Sequence, residues 1–123
     1  MNPSSPIAEW LGFSSAGEGE GRRYRLAFNE THIGNPAIRA LHGGVIAAFL
    51  ELAMQTELRA AGLEPEATVN VTVDYLASSR PEDMTAQVRV IRIGRRLAFL
   101  EAEGRQSDGS RLVAVARACL KLA

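Results

Sequence analysis

The stretch ALHGGVIAAFLELAMQ, residues 40–55, sets His42, Gly43 and Gly44 at the entrance to an apolar run. It then drops one carboxylate, Glu51, among Val45, Ile46, Phe49, Leu50, Leu52 and Met54. A carboxylate taken out of water is costly unless it has partners, so the position needs a reason. One reason is structural: Glu51, Gln55 and Arg59 fall at i, i+4 and i+8 and would make an ordinary solvated stripe on a helix. The other is chemical, since a positioned glutamate can serve as a general base that activates water or as a nucleophile. Two glycines at a helix entrance bear on the same question. A helix amino terminus offers unpaired N–H groups and the positive end of its dipole to a carbonyl that gains negative charge on attack. Residues without side chains let that carbonyl approach the backbone closely, although they also simply permit a loop-to-helix turn. His42 is placed to orient a side chain or to hydrogen-bond a substrate, and equally to satisfy the local backbone. His32, His42 and Cys119 are the only soft metal ligands and show no paired spacing, so no metal site is expected.

These residues need a helix and a surface to hold it. From Gly44 to Ala61 the pattern is helical, rich in Ala, Leu, Met and Glu, and Gly62 stands where a helix stop belongs. Beyond Gly62 the period switches to two. ATVNVTVDYLAS (67–78), MTAQVRVIRIG (84–94), RLAFLEAEG (96–104) and RLVAVARACLKLA (111–123) read as four strands, separated by Arg80-Pro81, Gly94-Arg95 and SDGS. Short connections imply antiparallel pairing and hence a four-strand meander. Before the helix, RYRLAF (23–28) alternates as a first strand and NETHIGNPAIRA (29–40) reads as a loop. SPIAEWLG (5–12) suggests a short helix or turn that lays Trp10 and Leu11 on the domain, and SSAGEGEG (14–21) a flexible turn. The expected organisation is an amino-terminal segment, 1–21, and one α+β domain, 22–123, in which an antiparallel sheet wraps around one long central helix.

Composition narrows the function classes. A chain of 123 residues is one domain's worth of core without disulfides. Fourteen basic and fourteen acidic residues cancel, so neither a nucleic-acid partner nor a membrane surface is expected. The single cysteine, the absence of an apolar run of about 20 residues and the absence of a basic leader suggest a soluble protein of a reducing compartment, the cytoplasm. The charge is uneven along the chain. Residues 1–79 hold five basic and nine acidic groups and residues 80–123 hold nine and five. Thirteen of the fourteen cations are arginine, a residue that suits phosphate, though a coding bias explains the same count.

HGG opening a long apolar helix, Glu51 nine residues after His42, and a following antiparallel set containing VTVDYL together resemble the hotdog-fold acyl-CoA thioesterases. The likeness is to their phenylacetate-pathway and 4-hydroxybenzoyl-CoA branch and covers roughly residues 22–123. It implies a homodimer, or a dimer of dimers, whose sheets join edge to edge. In such a dimer the carboxylate of one subunit faces the HGG turn of the other. It further implies Glu51 as base or nucleophile, the Gly43 N–H as the donor that polarises the thioester, and His42 beside it. The family places Asn or Gln six residues before the histidine; here that position is Pro36, and Asn35 lies one residue earlier, so Asn35 reaches the site only through a bulge and is otherwise a turn former. Gly44, Gln55 and Thr68 are expected near the acid or the acyl group. Arg80, Arg95 and Arg96 are candidates for the phosphates of coenzyme A, which is part of the substrate and not a cofactor.

Two other readings use the same residues. A hotdog hydratase or dehydratase would employ His32 and Glu51, for which HIGNPAIRA and LELAMQ are a faint echo, but His32 lies nineteen residues before Glu51 and the expected proline-glycine pair is replaced by His42-Gly43-Gly44. A non-catalytic acyl-CoA binding module fits the fold as well, because fold does not determine function.

Overall fold

A computed structural model describes residues 5–123. The chain runs through a short helix α1 (Pro6–Leu11), strands β1 (Phe13–Ala16), β2 (Arg23–Leu26), β3 (Ile33–Asn35) and β4 (Ala40–Leu41), the long helix α2 (Gly43–Ala60), and strands β5 (Pro65–Tyr75), β6 (Met84–Ile93), β7 (Leu97–Gln106) and β8 (Arg111–Leu122). Six strands form one antiparallel sheet in the order β1-β2-β6-β7-β8-β5, and β3 and β4 make a separate two-stranded ribbon. The sheet curls around α2, as the periodicity predicts.

Both ends of α2 have local causes. His42 is its amino-terminal cap, accepting the Gly44 N–H. At the other end Gly62 adopts φ 83°, a left-handed conformation that glycine enters at little cost, and the Leu63 N–H closes the last turn onto the Leu58 carbonyl at 3.0 Å. Ile46, Phe49, Leu50, Ala53, Met54 and Leu58 of α2 are buried against Met84, Leu100 and Leu120 of the sheet. Each fully buried side chain of this size contributes about 1.5–3 kcal/mol. Much of the buried face of β7 and β8 is alanine (Ala98, Ala102, Ala114, Ala116, Ala118), which lets the helix sit close. At Gly104 the approach is tightest: a Cβ would lie 3.0 Å from Met84 Sδ and 3.3 Å from Leu50 Cδ2.

Three expectations from the sequence are corrected by the structure. β5 does not pair with β6; it pairs with β8 from Pro65↔Leu122 to Tyr75↔Ala114, so only β6-β7-β8 form a meander. The reason lies in residues 76–83, a connection far longer than a two-residue hairpin, which carries the chain across the end of α2 to the other side of the sheet. Second, the stretch read as a flexible turn begins with β1, which pairs with β2 (Phe13↔Leu26 to Ala16↔Arg23) because Phe13 is anchored on Tyr24 and Phe49. Third, the loop 29–40 contains the β3–β4 ribbon. Of the two residues expected to lie on the domain, Leu11 is fully buried, whereas Trp10 is 45% exposed.

The 76–83 connection is pinned by Gln106, only 1% exposed. Its amide accepts from the Arg80 N–H at 2.8 Å and donates to the Arg80 and Glu82 carbonyls at 2.9 and 3.1 Å. Gln106→Ala orphans these backbone groups. It is expected to lower unfolding free energy by about 1–3 kcal/mol in a denaturant titration, and a smaller loss would mean that water replaces the amide. No helix among the described residues is long and apolar enough to cross a membrane.

Candidate active site

The β3–β4 ribbon delivers His42 to the start of α2. The His42 N–H donates to the His32 carbonyl at 2.8 Å. Gly34 packs so closely beneath His42 that a Cβ there would lie 2.7 Å from the His42 Cα. From this point the turn is tied down on three sides. The Leu41 N–H donates to the buried Ser79 Oγ at 2.8 Å, the Gly44 N–H to His42 Nδ1 at 2.9 Å, and the Tyr75 hydroxyl donates to the Gly43 carbonyl at 2.7 Å. One donor of the turn is left over: the Gly43 N–H has no partner among the described residues, as expected for the first residue of a helix. Because Nδ1 accepts, the ring proton of the exposed His42 is assigned to Nε2.

Two turns further along α2, Glu51 is half-buried with its charge partnered. Its Oε2 accepts from the Thr68 hydroxyl at 2.7 Å and from Gln55 Nε2 at 3.4 Å, and Gln55 Nε2 also lies 3.5 Å from Thr68 Oγ1. Glu51 Oε1 has no partner among the described residues. The solvated-stripe alternative loses its cation, because Arg59 pairs with Glu64 at 3.5 Å.

The structure therefore brings Glu51, Gln55 and Thr68 together in one cluster, and His42, Gly43 and Gly44 in another. Asn35 joins neither; it is exposed at the ribbon tip, where Oδ1 accepts from the Ala37 N–H at 3.1 Å. Arg80 lies at the α2 amino-terminal end, on the connection that also carries Ser79. Arg95 and Arg96 lie at the opposite end, where the Arg96 carbonyl accepts from the Leu122 N–H at 2.8 Å and the Ala123 N–H reaches Glu64, just past the helix. An 18-residue helix separates the two groups by about 27 Å. Sequence reasoning missed Tyr75, Ser79 and Arg111, whose Nη2 donates to the Ser78 carbonyl at 2.7 Å. The only sequence signal for Tyr75 was its place at the end of VTVDYL.

His32, the histidine of the hydratase reading, is fully buried and spent on the backbone. Nδ1 accepts the Asn29 N–H at 3.1 Å, which leaves Nε2 to donate to the Trp10 carbonyl at 2.9 Å. Neither nitrogen is available to a substrate.

Residues 31–120 match the family described as acyl-CoA thioesterase N-terminal domain. A solved structure from the thioesterase superfamily is 33% identical, with a TM-score of 0.89 over 97% of this chain and 90% of that one. A phenylacetic acid degradation-related protein of Ralstonia eutropha is 23% identical, with a TM-score of 0.82 over 97% of this chain and 91% of that one. A Bacillus halodurans protein crystallised with CoA shares 18% identity and a TM-score of 0.84, over 98% of this chain and 80% of that one. At those two lower identities the likeness is one of fold. No curated protein matches the sequence.

Proposed function

The chain belongs to the hotdog-fold acyl-CoA thioesterase family, and from that premise we propose that it hydrolyses acyl-CoA thioesters at a site shared between two copies of itself. The observation that carries the shared site is a distance. Gly43 and Glu51 stand eight residues apart on one helix, about 12 Å along its axis. A nucleophile must come within about 3–3.5 Å of the carbonyl it attacks. Glu51 Oε2 is held by Thr68 on β5, so one chain's carboxylate does not reach a carbonyl bound at its own Gly43.

A second copy supplies the missing partner. β5 is an edge strand of eleven residues, and an unpaired edge of that length invites a further strand. Both clusters are tied to it, Glu51 through Thr68 and Gly43 through Tyr75. Antiparallel pairing of β5 with its own copy, about a two-fold axis midway between those residues, brings each Glu51 toward the other chain's HGG turn, and an isologous interface of this kind makes two equal sites.

In this arrangement the thioester oxygen accepts from the Gly43 N–H, which stabilises the charge that develops on attack, and His42 Nε2–H is left to hydrogen-bond the substrate. The free Glu51 Oε1 either takes a proton from the attacking water or attacks the carbonyl itself to give an anhydride that water then opens. Thr68 and Gln55 orient the carboxylate in both cases. Collapse of the tetrahedral species expels CoA as its thiolate. Hydrolysis of a panel of aryl-, short- and long-chain acyl-CoAs, followed by the release of CoA thiol, tests the reaction. A hydratase would change enoyl absorbance without releasing thiol, and a binding module would do neither.

Arg80 is the cation proposed for the CoA phosphates, because it alone of the three sequence candidates lies at the Gly43 end. Arg80→Ala is expected to raise KM several-fold with kcat little changed, by an amount that shrinks as salt rises, while Arg95→Ala and Arg96→Ala shift KM less. Equal kinetics for the three variants would remove Arg80 from the site.

A further inference from the structure

Two cavities flank the HGG turn, one of mixed lining and one almost wholly apolar. One, of about 430 Å³, lies between the start of α2 and residues 75–79, where Tyr75, Ser78 and Ser79 share the lining with Leu41, Ile46 and Leu76. Arg111 Nη2 donates to the Ser78 carbonyl at its edge, and Arg80, next in the chain after Ser79, has its Nη1 3.5 Å from Ser107 Oγ. The other, of about 310 Å³, lies between α1 and α2, with Ile7, Trp10, Thr31 and Ile33 as walls, Val45 and Ala48 as floor, and His42 and Gly44 at its mouth.

We propose that this second groove holds the acyl group of the substrate and that Trp10 is the wall that sets which acyl groups fit. The proposal rests on the thioesterase reading above. A carbonyl at the Gly43 N–H has two substituents to place, the CoA sulfur and the acyl chain. The cavity with Tyr75, Ser78 and Ser79 hydroxyls in its lining and Arg111 held on the Ser78 carbonyl suits the polyanionic part. The groove whose mouth is formed by the two residues flanking Gly43 offers apolar walls to the other.

Its indole wall is built rather than incidental. Trp10 and Ile7 are 45% and 46% exposed, side by side on a helix of only six residues. Behind them His32 is completely buried, donates to the Trp10 carbonyl, and packs its ring edge-on to the indole at a centroid distance of 4.7 Å. The helix carrying both side chains is stopped by Gly12 in the left-handed region, φ 63°, where a Cβ would also meet Ala27 Cβ at 2.8 Å. The wall is thus fixed before any ligand arrives, which reduces the ordering cost of binding. A volume of about 310 Å³ sits at the lower end of the usual range for small-molecule pockets, so an aryl or medium-length alkyl acyl group is the class it takes.

Trp10 is the only tryptophan in the chain, so its emission reports the groove directly. Saturable quenching or shift of that emission is expected on titration with the non-hydrolysable S-octyl and S-benzyl thioethers of CoA, and no such change with free CoA. Ala48→Leu fills the floor and should lower kcat/KM for octanoyl- and benzoyl-CoA relative to acetyl-CoA by about ten-fold or more. Trp10→Ala should move the preference toward bulkier acyl groups. Thioethers that bind by calorimetry without altering Trp10 emission, or an Ala48→Leu protein that slows all three substrates by one common factor, would overturn the groove and leave the thioesterase reading standing. Failure of every thioether to bind, with no thiol released from any acyl-CoA, would overturn both.

Discussion

Glu51→Gln is expected to reduce thioester hydrolysis by roughly 10²-fold or more while leaving the fold intact. The amide keeps the length of the side chain and an oxygen for the Thr68 hydroxyl, which now donates to Oε2 at 2.7 Å. What it loses is the basic, nucleophilic oxygen at Oε1. Glu51→Asp should fall between wild type and Gln, because the shorter arm retains a carboxylate but withdraws it by about one methylene from the water or carbonyl it must reach. If Glu51 were only a polar residue on the helix surface, the Gln variant would turn over at nearly the wild-type rate with a stability change of about 0.5 kcal/mol or less. Side-by-side rates on the best substrate, with melting temperatures of both variants, decide between the two. A folded Glu51→Gln protein of near-normal activity would end the assignment.

The second large effect is expected at Gly43, where backbone chemistry permits an unusually clean substitution. Gly43→Pro deletes one N–H and keeps the carbonyl that Tyr75 binds. Proline is tolerated at the first position of a helix, where the N–H has no intrahelical partner anyway. Its demand for an extended preceding residue is already met by His42, at φ −60° and ψ 133°. A Cβ at residue 43 would lie 3.4 Å from the Tyr75 hydroxyl, an ordinary contact. The helix should therefore survive while kcat falls by about 10²–10³-fold, the usual effect of deleting one oxyanion donor. Gly43→Ala keeps the N–H and should lose far less. Co-expressing Gly43→Pro with Glu51→Gln then tests the shared site. In a mixed dimer one site carries both lesions and the other neither, so random assortment should restore about a quarter of wild-type activity. A site contained in one chain would restore none, and a protein that stays monomeric in light scattering would likewise exclude a shared site.

Local periodicity carried much of this architecture. The helix read as 44–61 spans Gly43–Ala60 and stops at Gly62, because the i, i+3 and i+4 repeat and the glycine stop are properties of neighbouring residues. The strands after it start and end within a few residues of their period-two runs for the same reason. β1 escaped detection because four residues are too few to show a period, and its place in the sheet comes from Phe13 packing on Tyr24 and Phe49, neither of them near it in sequence.

For the site, the sequence by itself determined that a carboxylate lies two turns inside a helix opened by HGG, and that Gln55 shares its face. Those are facts of spacing along one helix. Tertiary structure decided which strand meets that face. The path of residues 76–83 puts β5 beside β8, and the register shift between Thr68 and Asn70 sets Thr68 against Glu51 while Tyr75 closes on Gly43. The contacts that hold Leu41 and Gly43 and back Trp10 join residues 38, 32 and 22 positions apart. No periodicity reaches so far, because such pairs come together only when the sheet curls around α2 and buries the side chains between them.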